Sequence, residues 1–363
     1  MAKRSKATKA SKATTVTAAA DYSPSLVHLP WMDEHPPALS YQDGDVKAWQ
    51  AKVRRTVVAA LGLKNMPARK CALDARTLWR SEVEHGVIEK LVFTAELGAE
   101  VPAYLCLPRK GKAPYPVFIC LQGHSTGMHN SIGVTAEDES LPKQIEGDRD
   151  FALGCMERGI AALCIEQRAF GERREQHIGS EVGRHLTCYQ ATVNALIIGR
   201  TLIGERVYDV DRAIDLLAER QRSEKLFDLS RLGVMGNSGG GTVTLFAAGV
   251  LPRLRYAMPS CYFCTFRDSL VAINHCVCNT VPGLRRHVEM ADVLGLFAPR
   301  PVVVVAGKTD PIFPLAGVKR GFKQLQAIYA AAGAADKCKL VIGSQGHRFY
   351  AAPAWKAMLP LLR

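Results

Sequence analysis

No stretch of this 363-residue chain approaches the roughly 20 consecutive apolar residues that a membrane-spanning helix needs. The first twenty residues carry no acidic side chain and lack the apolar core of a secretory signal. Aromatic residues amount to only 7%, without the interleaving of aromatic and basic residues or the motifs of a nucleic-acid surface. Internal repeats are absent too. These gaps argue against membrane insertion, export and nucleic-acid binding. A cytoplasmic location is expected, with neither membrane nor nucleic acid as partner, and association into a homo-oligomer is left open.

The chain does have enough apolar residues, 48%, for a large buried core. Its net charge of +13 includes Lys3, Arg4, Lys6, Lys9 and Lys12, which sit in a Lys/Ser/Thr/Ala segment. Such a segment cannot bury enough apolar surface to order itself, so residues 1–20 are expected to form a disordered basic tail. Eleven cysteines, an odd number in a long chain without an export signal, point to reduced thiols.

The chemistry is most legible at Gly236-Asn237-Ser238-Gly239-Gly240, which follows the apolar run Leu232-Gly233-Val234-Met235 and precedes a helix-like stretch from Thr242 to Ala248. A serine hydroxyl becomes a useful nucleophile when a sharp strand-to-helix turn presents it to a base and to helix amides. The flanking glycines permit that turn. Partners are expected in the chain order Ser, Asp or Glu, His, each in a loop behind a strand. Pro301 to Ala306 is an unbroken run of the kind that only a sheet covered on both faces tolerates, and it leads to Asp310. Lys339 to Gly343 leads in the same way to His347. Both side chains should reach the carboxyl edge of the sheet, where open α/β sheets bind ligands. His347 would then be the base for Ser238, and Asp310 would fix its tautomer.

An oxyanion also needs amide donors. Tyr115 to Leu121 is expected to be the third strand, followed by Gln122-Gly123-His124, so the backbone amides of His124 and Gly239 are the candidates. A metal-ligand or second-base role for His124 is the rival reading. After the next strand, Gly159 to Ile165, the loop from Glu166 to Arg174 carries five charged side chains. Solvated charge is the plain reading of that loop, and substrate binding by Arg168 or Arg173 the sharper one.

The elbow through Gly241, the segment Cys261 to Ser269, the Gly307-to-Pro314 turn, Gly346-His347-Arg348-Phe349-Tyr350 and the Gln167-to-Arg173 run together resemble an acetylxylan-esterase-like branch of the α/β-hydrolase superfamily. Dienelactone hydrolases and cephalosporin-C deacetylases are more distant relatives. The resemblance runs from about Val87 to the C-terminus. It implies an α/β-hydrolase fold, a mostly parallel twisted sheet with helices on both faces, with Ser238 as nucleophile, Asp310 as acid and His347 as base. It also implies a small acyl group such as acetyl, a small-molecule ester substrate and no cofactor. The deacetylase relatives carry histidine where this chain has Gln122, which makes Gln122 a candidate for shaping or binding the substrate.

Cys261-x-x-Cys264 followed by His275-Cys276-Val277-Cys278 could supply zinc ligands, although the x-spacing of the second pair is unusual. The favoured reading is packing thiols with no metal. Along the chain, residues 21–86 are expected to be a helical extension, with Trp49, Val53, Val57 and Leu61 on one helix face. Residues 87–363 would form the catalytic domain, opened by a hairpin of Val87–Phe93 and Val101–Leu107. One long helix is expected between Gln190 and Arg222, and residues 261–300 are expected as an insertion over the active site. The reading is therefore a serine carboxylic-ester hydrolase. A lactone or amide hydrolase, and a non-catalytic metal-binding protein centred on Cys261 to Cys278, are the alternatives.

Overall fold

The unbroken apolar runs form the middle of a sheet that is buried on both faces. The computed structural model describes residues 21–124, 127–175 and 187–362; the basic tail, residues 1–20, lies outside them. The strands are β1 (Arg76–Val83), β2 (Gly86–Glu96), β3 (Ala99–Pro108), β4 (Tyr115–Leu121), β5 (Ala161–Ile165), β6 (Phe227–Asn237), β7 (Tyr256–Ser260), β8 (Val302–Gly307) and β9 (Cys338–Gly343). They form one sheet in the order β1-β2-β3-β5-β4-β6-β7-β8-β9. Pairing is antiparallel from β1 to β5 and parallel from β5 through β9.

The helices are α1 (His28–Glu34), α2 (Val46–Ala60), α3 (Phe151–Met156), α4 (Thr187–Ile197), α5 (Leu202–Glu224), α6 (Gly239–Val250), α7 (Met290–Gly295), α8 (Leu315–Ala331) and α9 (Ala351–Met358). They cover both faces of the sheet, and the side chains of β8 record it. Val302, Val304 and Ala306 join the core built with α2, α5, α6, α7 and α8, while Val303 and Val305 join the core built with α3 and α9. Alternation along a strand with both faces apolar is what parallel, twice-covered strands require. Asp45 caps α2 by accepting from the amides of Lys47 and Ala48, and Val53, Val57 and Leu61 are fully buried against the sheet's helical layer.

Two expectations change. Arg76–Val83, inside the segment expected to be helical, is an edge strand. It carries charged, exposed side chains and borrows its conformation from antiparallel pairing with β2, so no apolar alternation marks it. The long helix between Gln190 and Arg222 is two helices. Gly199 turns the chain at φ 74°, and Thr201 starts α5 by accepting from the Gly204 amide at 2.9 Å.

The loop leaving β5 is anchored to α5 by buried charge. Arg168 makes a two-pronged contact with Asp209, at 2.9 and 3.0 Å, and reaches Glu96 and Glu205 as well. Arg173 adds a 2.7 Å contact to Asp209, and Arg206 donates to the Arg168 carbonyl. Burial pushes the Asp209 carboxyl up, but the two guanidiniums outweigh it and the net value lies below the ordinary one. A carboxyl lowered in the folded state stabilises the fold above its unfolded pKa, and that contribution is lost as pH falls toward the folded value. Asp209→Ala would leave two buried guanidiniums short of their shared partner, a loss of about 3–5 kcal/mol. Urea unfolding across pH 3–7 should give a lower midpoint for the variant and a shallower acid decline than in the wild type; an unchanged midpoint would refute the anchoring role.

Candidate active site

Ser238 lies between β6 and α6 at φ 57° and ψ −120°, a left-handed backbone that a serine adopts only when its surroundings enforce it. The enforcement is local. The Ser238 amide donates to the Ser260 carbonyl of β7 at 2.9 Å, and the Thr242 amide donates back to the Ser238 carbonyl at 2.9 Å. α6 also packs so closely against the end of β4 that a Cβ at Gly240 would stand 1.9 Å from the Leu121 carbonyl oxygen. Glycine is required there. The result is a serine held at the tip of a tight strand-to-helix turn.

The loop after β4 passes directly beside it. A Cβ at Gly123 would sit 3.1 Å from Ser238 Cβ, and one at Gly239 would sit 3.1 Å from His124 Nδ1. Gly123, His124 and Gly239 are thus gathered around Ser238. Gln167, from the β5 exit, donates to the Gln122 carbonyl and fixes the loop's approach.

Behind β8 and β9, His347 Nδ1 and Asp310 Oδ2 are 2.8 Å apart. The other Asp310 oxygen accepts from the amides of Ile312 and Phe313 at 2.9 and 3.2 Å. Burial pushes the Asp310 carboxyl up, yet the His347 contact and the two amides bring the net value below the ordinary one. An ionised carboxylate can accept only, so Nδ1 is the donor and neutral His347 presents Nε2 as a lone-pair base. Phe313 stacks on the imidazole at 5.9 Å. Ser238 and His347 line one cavity of about 380 Å³, together with Gly123, His124 and Gly239.

The remaining wall of the cavity was not assigned residue by residue from the sequence. Tyr262, Ile273, Asn274, His275, Cys276 and Asn279 come from the 261–300 segment, and Arg149 comes from the loop before α3. Asn279 ties this wall to α6: its Oδ1 accepts from Thr242 Oγ1 at 2.8 Å and its Nδ2 lies 2.9 Å from His275 Nδ1. Burial and the neighbouring His124 hold His275 below its ordinary value. No periodicity marks such irregular loop residues. Apart from His275 and Cys276, considered as zinc ligands, only the expectation of an insertion before β8 pointed toward them.

Other candidates lie elsewhere. Arg168 and Arg173 do not line this cavity; Asp209 holds both. Gln122 is buried, with its amide donating to Ser131 Oγ at 2.8 Å and to the Arg149 carbonyl at 2.7 Å, so it shapes the loop that carries Arg149. The four cysteines considered as one metal set separate into two places. Cys261 Sγ donates to the Arg348 carbonyl at 3.1 Å beside Asp310, where burial pushes its thiol up to about 12, and Cys264 faces the Pro314 carbonyl. Cys276 and Cys278 instead join His124 and Cys188. All eleven cysteines are free.

The described residues include no helix long and apolar enough to cross a membrane. A model of the Abhydrolase family matches residues 29–345. The chain is 26% identical over 306 residues to "Putative hydrolase YtaP" of Bacillus subtilis, spanning 82% of this chain and 94% of that protein. Among solved structures, a "putative acetyl xylan esterase" of Bacteroides fragilis superposes with a TM-score of 0.69 at 15% identity, over 89% of this chain and 83% of that one. A glucuronoyl esterase from Solibacter usitatus superposes at 0.65 and 15% identity, over 90% and 97%. At such identities the likeness speaks for a common fold. The family match spans most of the chain, from α1 to the loop that carries His347, and the fold is the one its resemblances imply: this chain belongs to the Abhydrolase family, with an α/β-hydrolase fold.

Proposed function

We propose that the protein is a serine carboxylic-ester hydrolase acting on small acyl esters, acetyl above all, of sugar-like or similarly polar alcohols. The observation that carries this reading is the buried Asp310 contact to His347 on the same cavity that exposes the strained Ser238. Ser238 Oγ attacks the ester carbonyl carbon while its proton passes to His347 Nε2. The amides of His124 and Gly239 hold the tetrahedral oxyanion. Collapse breaks the bond to the alkoxy oxygen, which leaves as the alcohol with the proton from His347. A water, deprotonated by the same nitrogen, then attacks the acyl-serine and releases the acid. Asp310 keeps Nδ1 protonated and stabilises the imidazolium throughout.

A cavity of about 380 Å³ is at the small end for ligand sites, which suits a short acyl group and one ring of an alcohol. Its wall of Arg149, Asn274, His275 and Asn279 suits hydroxyl-bearing substrates better than long aliphatic ones. The acetyl xylan and glucuronoyl esterases with the same fold act, by their names, on carbohydrate esters, in keeping with this substrate class.

Hydrolysis of p-nitrophenyl esters from acetate to octanoate, measured on wild type and Ser238→Ala, tests the reading. Turnover should be fastest on acetate, decline with chain length, and drop by at least about 10⁴-fold in kcat/KM in the variant. Serine-independent turnover, or none on any ester, would overturn it. Asp310→Asn should lower kcat by about 10³- to 10⁴-fold with KM little changed, because the ring is left in the wrong tautomer. A change confined to KM would mean that Asp310 serves binding instead.

A further inference from the structure

Four soft donor groups from three separate segments converge beside the cavity. His124, Cys188, Cys276 and Cys278 each offer one ligand atom, and the four atoms lie within 4.8 Å of one another. His124 belongs to the loop after β4, Cys188 to the first turn of α4, and Cys276 and Cys278 flank the first residue of a single 3-10 turn in the 261–300 segment. The His124 ring nitrogen Nε2 is 3.0 Å from Cys278 Sγ.

A tetrahedral zinc ion with sulfur at about 2.3 Å and nitrogen at about 2.0 Å sets its ligand atoms about 3.6–3.8 Å apart. From separations within 4.8 Å, side-chain shifts of up to about 1 Å bring the four atoms to that spacing. Three sulfurs and one imidazole also form one of the standard donor sets of a closed structural zinc site. The charge balance fits as well. Three thiolates, a neutral histidine and a divalent ion sum to −1, and Arg206 stands against them: its side chain is 1% exposed and its Nη2 lies 3.7 Å from Cys188 Sγ.

The geometry points to a structural metal site for zinc or a similarly soft divalent cation, bound by His124 Nε2 and the sulfurs of Cys188, Cys276 and Cys278. With four protein ligands it has no open position for catalytic water. Its work is to staple the oxyanion loop, α4 and the cavity wall together. That work on His124 rests on the esterase reading, whereas the metal site itself does not. The cluster also explains why three thiols stand together beside a serine nucleophile that has no use for them.

The decisive measurement is elemental analysis of the full chain purified under reducing conditions from zinc-supplied cells. Wild type should hold about one zinc per chain, as a single closed site requires. Cys188→Ser and Cys276→Ser should each lose most of it, while Cys71→Ser, at a cysteine outside the cluster that faces the Ala95 carbonyl, should keep it. Ser238→Ala should also keep its zinc, so failure of the esterase reading and failure of the metal site give different results. If the cluster variants do not fold, the wild type still decides. Stripped with a chelator and titrated with cobalt(II), it should develop thiolate-to-cobalt charge-transfer absorption and the intense d–d bands of a tetrahedral centre. Wild type without zinc and without that spectrum would overturn the proposal, as would zinc retained in both cluster variants or a disulfide linking two of the three cysteines.

Discussion

The site depends on one enforced backbone conformation, that of Ser238 at positive φ. A serine in that region costs on the order of 1–3 kcal/mol and persists only where its neighbours over-determine it. Here three elements do so at once. β7 accepts the serine amide, α6 begins immediately after it, and β4 presses its last carbonyl against Gly240. Because the same contact brings the loop after β4 to Ser238, the strain that exposes the hydroxyl also sets its distance from His124. Ser238 and the loop after β4 are a single packing problem, and replacing Gly240 would disturb both.

The sheet supplies the remaining precision through its edge. Asp310 and His347 leave β8 and β9 at the same end as Ser238 leaves β6, because neighbouring parallel strands end together. Their register is fixed by two apolar cores, one on each face, which leave no room for a slip. The β5 exit loop is held differently. Besides the buried Ala169 and Phe170, its charged Arg168 and Arg173 are tied down by ion pairs to Asp209 of α5. One of its residues, Gln167, then reaches across to hold the Gln122 carbonyl, so the buried charge network supports the loop after β4 from behind.

What was legible in the sequence follows from which forces act locally. Doubly covered strands such as Val302–Gly307 must be continuously apolar, and a tight strand-to-helix turn must carry glycine at fixed offsets, so the central sheet and the positions of Ser238, Asp310 and His347 at its edge could be read directly. β1 could not, because an exposed edge strand takes its structure from a partner strand and not from its own pattern. The break between α4 and α5 rests on one glycine and one capping threonine, a weak signal within a strong helical periodicity. Arg168 and Arg173 look like surface charge until Asp209, which lies 41 residues beyond Arg168, is seen to neutralise them both. The cysteines misled by proximity. Cys261 and Cys264 are sequence neighbours of Cys276 and Cys278 but not spatial ones, while His124, 154 residues from Cys278, is in contact with it.

That last pairing shows how the two halves of the cavity differ. Ser238, Asp310 and His347 stand on strand ends whose positions the core dictates. The opposite wall, from Tyr262 to Asn279, has only a single 3-10 turn of regular structure and therefore few backbone hydrogen bonds of its own to hold it. A loop of this kind keeps a defined shape only through ties to rigid elements. Thr242 of α6 provides one by bonding Asn279, and the contact of His124 with Cys278 provides another, directly to the loop after β4. One tie ends at Thr242, in the first turn after Ser238, and the other at His124, which lines the same cavity as Ser238. The wall that would select the alcohol is thus positioned from the same point as the machinery that would cleave the ester, and a substitution in either tie should be felt on both sides of the cavity.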